Sequence, residues 1–263
     1  MRRQPPVKRL GDLMSEHKVT ALVTGASAGL GAAFCRQLAP LCDVIIAVAR
    51  RREKLETLAS ELADSVEMHC LEADLATVEG VAATLEAIRQ QGPVDYLINN
   101  AGFGTFGHCD QLPINGQREM VNLHIDACIT LCRATIPFMR ELGGGQIINV
   151  SSLGVFVPGK GMAVYGATKA FLNYYSQALQ AELVGSGIEV QALCPGFTHT
   201  EFHDSMSVDG FDRTQIPDQM WMNADAVVAA SLAAMGNGQV LVVPGEYNLG
   251  VAKMGLQKQL DDL

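Results

Sequence analysis

The sequence predicts an α/β fold: one domain built on a doubly wound parallel sheet of about seven strands with helices on both faces. Three observations carry that expectation. Short β-rich apolar runs alternate with longer amphipathic stretches, and a glycine-rich turn stands where the first strand passes into the first helix. In addition, 48% of the 263 residues are hydrophobic, enough apolar material for one large core.

In chain order, Val19–Thr24 reads as a strand followed by a helix over Gly29–Pro40, and Val44–Ala49 as a strand followed by a helix over Glu53–Ala63. Val66–Leu71 precedes the helical stretch Val78–Gln90, and Val94–Ile98 is the next strand. A long helical stretch runs through Gln117–Leu142, then come a strand at Gln146–Ser151, a helix across Val164–Val184 and a strand at Glu189–Leu193. Val240–Val243 adds the last strand. Strands separated by helix-length crossovers cannot pair as hairpins, so they form a parallel, Rossmann-like sheet. Residues 1–18 read as an N-terminal extension and 19–263 as the domain, with no linker or repeat dividing it. The irregular stretch Thr198–Met222 follows a strand's carboxyl end, where an insertion can cover a ligand.

Composition excludes several function classes. A net charge of -9 gives no overall positive field for nucleic acid. Four cations fall within the first nine residues, but no apolar core of a signal peptide follows them, and no apolar run is long enough to span a bilayer. The chain therefore reads as cytoplasmic. Its seven cysteines form no CxxC pair and no zinc-ligand cluster, so reduced thiols and no metal are expected. Cys128 and Cys132 lie one helical turn apart, which a core-facing stripe explains. His108, His124, His199 and His203 have no partner that makes a nucleophile triad, and Ser151-Ser152 lacks the GxSxG elbow of a hydrolase.

The turn after the first strand reads Thr24-Gly25-Ala26-Ser27-Ala28-Gly29-Leu30-Gly31. Glycines there allow a tight turn and let backbone N–H groups approach a pyrophosphate at the positive end of the helix dipole. At the end of the second strand, where NAD-specific folds place an acid for the ribose 2′-hydroxyl, the chain instead has Ala49-Arg50-Arg51-Arg52. A guanidinium can grip a 2′-phosphate with forked, charge-assisted hydrogen bonds, so NADP(H) is favoured over NAD(H). Arg50 carries that selectivity, with Arg51 or Ser27 assisting; Arg52 reads as a solvated cation.

Tyr165 and Lys169 are four positions apart in a helical stretch and share one face. A tyrosine ionises near pH 10, but a positive charge about 4 Å away favours the tyrosinate by roughly 4 kcal/mol at an effective dielectric of 20, before desolvation subtracts its share. That pair can move a proton to or from a substrate oxygen.

These residues resemble the short-chain dehydrogenase/reductase family, in its NADP-preferring bacterial type. Its cofactor turn is TGxxxGxG, and the likeness continues through Asn99-Asn100-Ala101-Gly102, Tyr165-Gly166-Ala167-Thr168-Lys169 and Pro195-Gly196, in family order. The resemblance covers roughly Val19 to Glu201 and implies hydride transfer between nicotinamide and a carbonyl or alcohol, in a homodimer or homotetramer. It also implies a catalytic set of Asn122, Ser152, Tyr165 and Lys169. Ser152, thirteen positions before Tyr165, donates to the substrate oxygen, with Ser151 the competing candidate, and Asn122 joins Lys169 through water. The implied cofactor contacts are Gly25, Ser27, Gly29, Leu30, Gly31, Arg50, Arg51, Asp74, Leu75, Asn100, Ala101, Gly102, Tyr165, Lys169, Pro195, Gly196, Thr198 and Thr200. Asn99 reads as a turn-capping amide, Asp74 as either an adenine contact or a helix N-cap, and Thr200 as either a nicotinamide contact or an N-cap.

Phe103, Leu153, Phe156, Met162, His199, Phe202 and Met206 stand beside the motifs and are expected to face the substrate; Lys160 is either an anchor for an anionic tail or a solvated loop lysine. Since most of that set is apolar, the expected substrate is an apolar ketone, aldehyde or alcohol. Two non-enzymatic readings use the same fold, an NADP-binding sensor and a structural subunit. A sensor, however, has no need of the proton-transfer set.

Overall fold

The computed structural model describes residues 17–202 and 216–263. Its main sheet has seven parallel strands in the order β3-β2-β1-β4-β5-β6-β9. They are β1 (Thr20–Thr24), β2 (Val44–Ala49), β3 (Glu67–Glu72), β4 (Tyr96–Asn99), β5 (Gly145–Val150), β6 (Ile188–Leu193) and β9 (Leu241–Val242). Every residue of β1 and β2 is buried, which is what a parallel strand covered on both faces requires. The helices are α1 (Gly29–Leu38), α2 (Arg52–Leu62), α3 (Val78–Gln91), α4 (Ile114–Val121), α5 (Ala127–Leu142), α6 (Ala163–Glu182), α7 (Ala224–Ala233) and α8 (Glu246–Asp261).

Two apolar layers flank the sheet. On one face Phe34 and Leu38 of α1, Leu55 and Leu58 of α2 and Val227 and Val228 of α7 pack on Ala21, Val23 and Ile45. On the other, Val81 and Ile88 of α3, Leu131 and Met139 of α5 and Leu172 and Leu179 of α6 pack on Leu22, Ile46 and Leu97. The sheet order reverses beside β1 and β4, the place where an open α/β sheet leaves a crevice at its carboxyl edge.

The predicted long helix of Gln117–Leu142 begins earlier, at Ile114, and is interrupted by one π-turn at Asn122–Asp126. The extra residue in that turn carries His124 inward, where it is 2% exposed, while Asn122 stays on the surface. Helices α7 and α8 were not expected from the sequence. The first is small and apolar almost all round, and the second has little amphipathic contrast, so neither displays a marked 3.6-residue stripe. A second sheet pairs β7 (Phe197–His199) with β8 (Trp221–Asn223), closing the excursion after β6 at its base. Of the expected N-terminal extension only His17 and Lys18 are described. The His17 imidazole lies 2.8 Å from the Asp95 carboxylate, and Lys18 lies 3.2 Å from that of Glu67.

Candidate active site

A cavity of about 710 Å³ opens at the carboxyl edge of the sheet, where β1, β2, β4, β5 and β6 hand over to their following loops. One end is made by the β1–α1 turn. Gly25 has φ +66°, a conformation that a side chain disfavours, and a Cβ on Gly31 would lie 2.2 Å from the Gly25 carbonyl oxygen. The turn therefore closes on itself only with hydrogen at Gly31, presenting the N-terminus of α1 to the cavity. Asn100 braces it from behind: its side-chain amide donates to the Thr24 carbonyl at 2.8 Å, and its backbone N–H donates to the Thr24 hydroxyl at 2.9 Å. That amide, expected among the cofactor contacts, is thus directed to the turn.

Ser27, Gly29, Leu30, Arg50, Arg51, Asp74, Leu75, Asn100, Ala101 and Gly102 all line this space. Arg51 donates to Glu201 at 2.7 Å and to Ser27 Oγ at 3.1 Å. Arg50 makes no ion pair among the described residues. Asp74 is not the cap of α3; Thr77 is, accepting from the Gly80 N–H at 3.1 Å, while the Asp74 carboxylate accepts from the Ala76 N–H at 3.0 Å in a local turn. Nor is Asn99 a turn cap. It sits within β4 and donates across the sheet to Asn149 Oδ1 at 2.8 Å, and Asn149 in turn donates to Ser176 Oγ at 2.9 Å.

The other part of the cavity is lined by Ser152, Tyr165 and Lys169. Helix α6 carries Tyr165 and Lys169 on one face, with Nζ 6.0 Å from the phenol ring centre. Lys169 is 4% exposed and donates to the Val150 carbonyl at 2.8 Å; burial lowers it to about pKa 8. Tyr165 is also buried. Burial raises its pKa, opposed by a hydrogen bond from Ser152. The sequence expectation of a lysine that pulls the phenol down is not what this geometry gives: the ammonium is directed at Val150, and desolvation dominates at the tyrosine.

Geometry separates the two serines. Ser151 donates to the Lys169 carbonyl at 2.9 Å, whereas Ser152 accepts from the Gly154 N–H at 3.1 Å and keeps its hydroxyl proton for Tyr165 or a substrate. The Asn122 side chain is outside the cavity, 3.5 Å from the Ala76 carbonyl. His124, which sequence reasoning set aside, lies against the Tyr165 ring at 6.1 Å, edge to face. Thr168 donates its hydroxyl proton to the Tyr165 carbonyl at 2.8 Å, so it accepts from His124 Nδ1 at 2.9 Å; Nε2 then accepts from the Phe103 N–H at 3.3 Å. Burial holds the imidazole well below its usual pKa, in keeping with that neutral tautomer. No local pattern marks His124, because only the π-turn brings it inward.

Phe103, Leu153, Met162 and Phe202 line the cavity as expected neighbours, and Pro195, Gly196, Thr198 and Thr200 border it. His199 does not. It is exposed and stacks on Trp221 at 4.9 Å, outside the cavity. Phe156 is also outside, buried against α8, whose Gln259 amide donates to the Phe156 carbonyl at 3.0 Å. Neither Gly31 nor Lys160 lines the space, and Met206 lies outside the described residues. The Thr200 hydroxyl accepts from the Phe202 N–H at 3.3 Å, and among the described residues it caps no helix. Phe106, Val157, Ile216, Met220 and Val251 complete the apolar wall and were missed. Ile216 and Met220 fall within the Thr198–Met222 stretch expected to cover a ligand, Phe106 stands three residues after Phe103, and Val251 comes from a distant segment without a signal.

A cavity joining a helix N-terminus and arginines to Ser152 and the buried Tyr165 and Lys169 suits a dinucleotide. The closed Gly25–Gly31 turn brings the N-terminus of α1 to that cavity, where it fits a phosphate group. The fold and site define a nicotinamide-dependent oxidoreductase acting on CH–OH groups. Residues 19–209 match the family model for short chain dehydrogenases. Serine 3-dehydrogenase of Agrobacterium fabrum is 34% identical over 189 residues, covering 70% of this chain and 73% of that enzyme. Among solved structures, a short-chain dehydrogenase of Sphingobium yanoikuyae in complex with NADPH is 33% identical, with a TM-score of 0.80 over 93% of this chain and 96% of that one. The bulky-bulky ketone specific alcohol dehydrogenase of Comamonas testosteroni is 29% identical, with a TM-score of 0.75 over 93% and 94%. This chain belongs to the short-chain dehydrogenase family. Among its described residues, no helix is long and apolar enough to cross a membrane and no His/Cys/Asp/Glu group could hold a metal ion.

Proposed function

We propose that the protein interconverts a carbonyl and a secondary or primary alcohol with NADP(H), using Tyr165 as acid and base. The observation that carries this reading is that Ser152 lines, together with buried Tyr165 and Lys169, the same cavity as Arg50 and the glycine turn. When bound, the cofactor supplies or takes up the hydride. In reduction, the Tyr165 hydroxyl gives its proton to the oxygen on which charge develops, and Ser152 donates a hydrogen bond to the same oxygen. Lys169 supplies positive charge beside the tyrosinate left behind. In oxidation the proton moves the other way. A raised phenol pKa keeps Tyr165 protonated at neutral pH, which readies the site for reduction.

That Arg50 lines the cavity and makes no ion pair among the described residues supports NADP(H). Arg50→Ala is expected to weaken NADPH about tenfold or more and to leave NADH nearly unchanged, read by reduced-nicotinamide fluorescence. Equal losses for the two would show that Arg50 reads something other than the 2′-phosphate.

The wall formed by Phe103, Phe106, Leu153, Met162, Phe202 and Met220 supports an apolar ketone, aldehyde or alcohol. Beside it, Lys169 is the one cation among the described lining residues outside the Arg50–Arg51 end, and it is already held by Val150. In a turnover panel, bulky apolar carbonyls should exceed small charged ones by at least about tenfold in kcat/KM. Preference for small anionic carbonyls would sink this assignment.

A further inference from the structure

Three consecutive residues after β7 touch three parts of the site. The Thr200 methyl group packs over Gly29, where a Cβ would come within 3.0 Å of it. The Phe202 ring lies 6.2 Å from the Tyr165 ring. Between them, Glu201 reaches across the cavity to α2 and the residue before it, taking Arg51 at 2.7 Å and Lys54 at 2.5 Å. Arg51 also holds Ser27, and Ser27, Arg50, Arg51 and Glu201 line one continuous space.

We propose that Glu201 is a specificity-determining residue: it occupies cations that the 2′-phosphate of NADP(H) would use, and so limits how far the site prefers NADP(H) over NAD(H). The proposal rests on the NADP(H) reading above and adds a competitor to it. A carboxylate held by Lys54 and engaging Arg51 satisfies a donor of Arg51, which lines the cavity beside Arg50 and Ser27. The hydrogen bonds from Lys54 and Arg51 keep the Glu201 carboxyl below its usual pKa, so the competitor is charged at neutral pH. These ion pairs are solvent-exposed, with 42% of the Arg51 and 51% of the Glu201 side chain accessible. Such pairs are weak, and a phosphate dianion offering three acceptor oxygens can displace a single carboxylate. Displacement still costs NADP(H) part of its advantage. NAD(H), with a hydroxyl in that place, leaves the pair intact.

The test is a fluorescence titration of NADPH and NADH against wild type, Glu201→Gln, and Glu201→Gln placed on an Arg51→Ala/Lys54→Ala background. Glutamine keeps the shape and removes the charge. NADPH should bind roughly three- to tenfold more tightly to Glu201→Gln, NADH should stay within about twofold, and the gain should vanish on the background lacking both cations. Unchanged or weaker NADPH binding, or an equal gain for NADH, overturns the proposal. A wild type that binds NADH as tightly as NADPH overturns the cofactor reading and this proposal together. A clear NADPH preference that Glu201→Gln does not enlarge overturns this proposal alone.

Discussion

Tyr165→Phe is expected to lower kcat for carbonyl reduction by about 10³-fold, within the range that a positioned proton donor contributes, while NADPH affinity stays within about twofold. The separation follows from placement. Tyr165 lines the cavity beside Ser152, and its ring packs against Phe106, His124 and Phe202 at centroid distances of 5.8, 6.1 and 6.2 Å. Phenylalanine can keep all three ring contacts and deletes only the hydroxyl group. Fold and cofactor site should therefore survive, which a thermal melt and the fluorescence titration would establish. Residual turnover above about one tenth of wild type would move the acid to another group. Ser152→Ala serves as comparison: it removes a hydrogen-bond donor to the same oxygen but not the proton source, and should cost less.

The doubly wound sheet was legible because β1 and β2 are apolar runs buried along their whole length and several helices that pack on the sheet show a stripe, as at Leu55, Leu58 and Leu62 of α2. The residues of the glycine turn and of the Tyr165–Lys169 face were also legible, since turn chemistry and the four-residue helical spacing are local. What stayed hidden depends on distance along the chain. His124 enters the interior through a π-turn that no residue pattern announces. Met220 and Val251 reach the cavity only because β8 pairs with β7 and α8 folds back over Phe156. His199 was misplaced for the same reason: its neighbour is Trp221, on the far side of the excursion. The direction of the Tyr165 shift was missed because sequence gives the spacing of the pair but not the burial that outweighs it.

Lys169 turns that burial into a pH dependence. Its ammonium, lowered to about pKa 8 by desolvation, is charged below that pH and neutral above it. Stabilising the tyrosinate formed in reduction requires the charge, so kcat with saturating NADPH should fall as pH rises through about 8. Lys169→Met lacks the charge at every pH; it should lose about 10²-fold at pH 7 and show no inflection near 8. Stability moves in the opposite sense. Below pH 8 the lysine is charged both folded and unfolded, and the folded state bears the full cost of burying it. Between about 8 and the ordinary value of 10.5 the unfolded chain binds the additional proton, so the wild type gains stability as pH rises. That gain is on the order of 3 kcal/mol. Denaturant midpoints at pH 7 and pH 10 would measure it, with Lys169→Met as the reference in which all other titrations cancel. The advantage of the Met variant over wild type should shrink across that interval. An advantage that stays constant would mean that Lys169 keeps its proton throughout, and a decline in kcat near pH 8 would then have to come from another group.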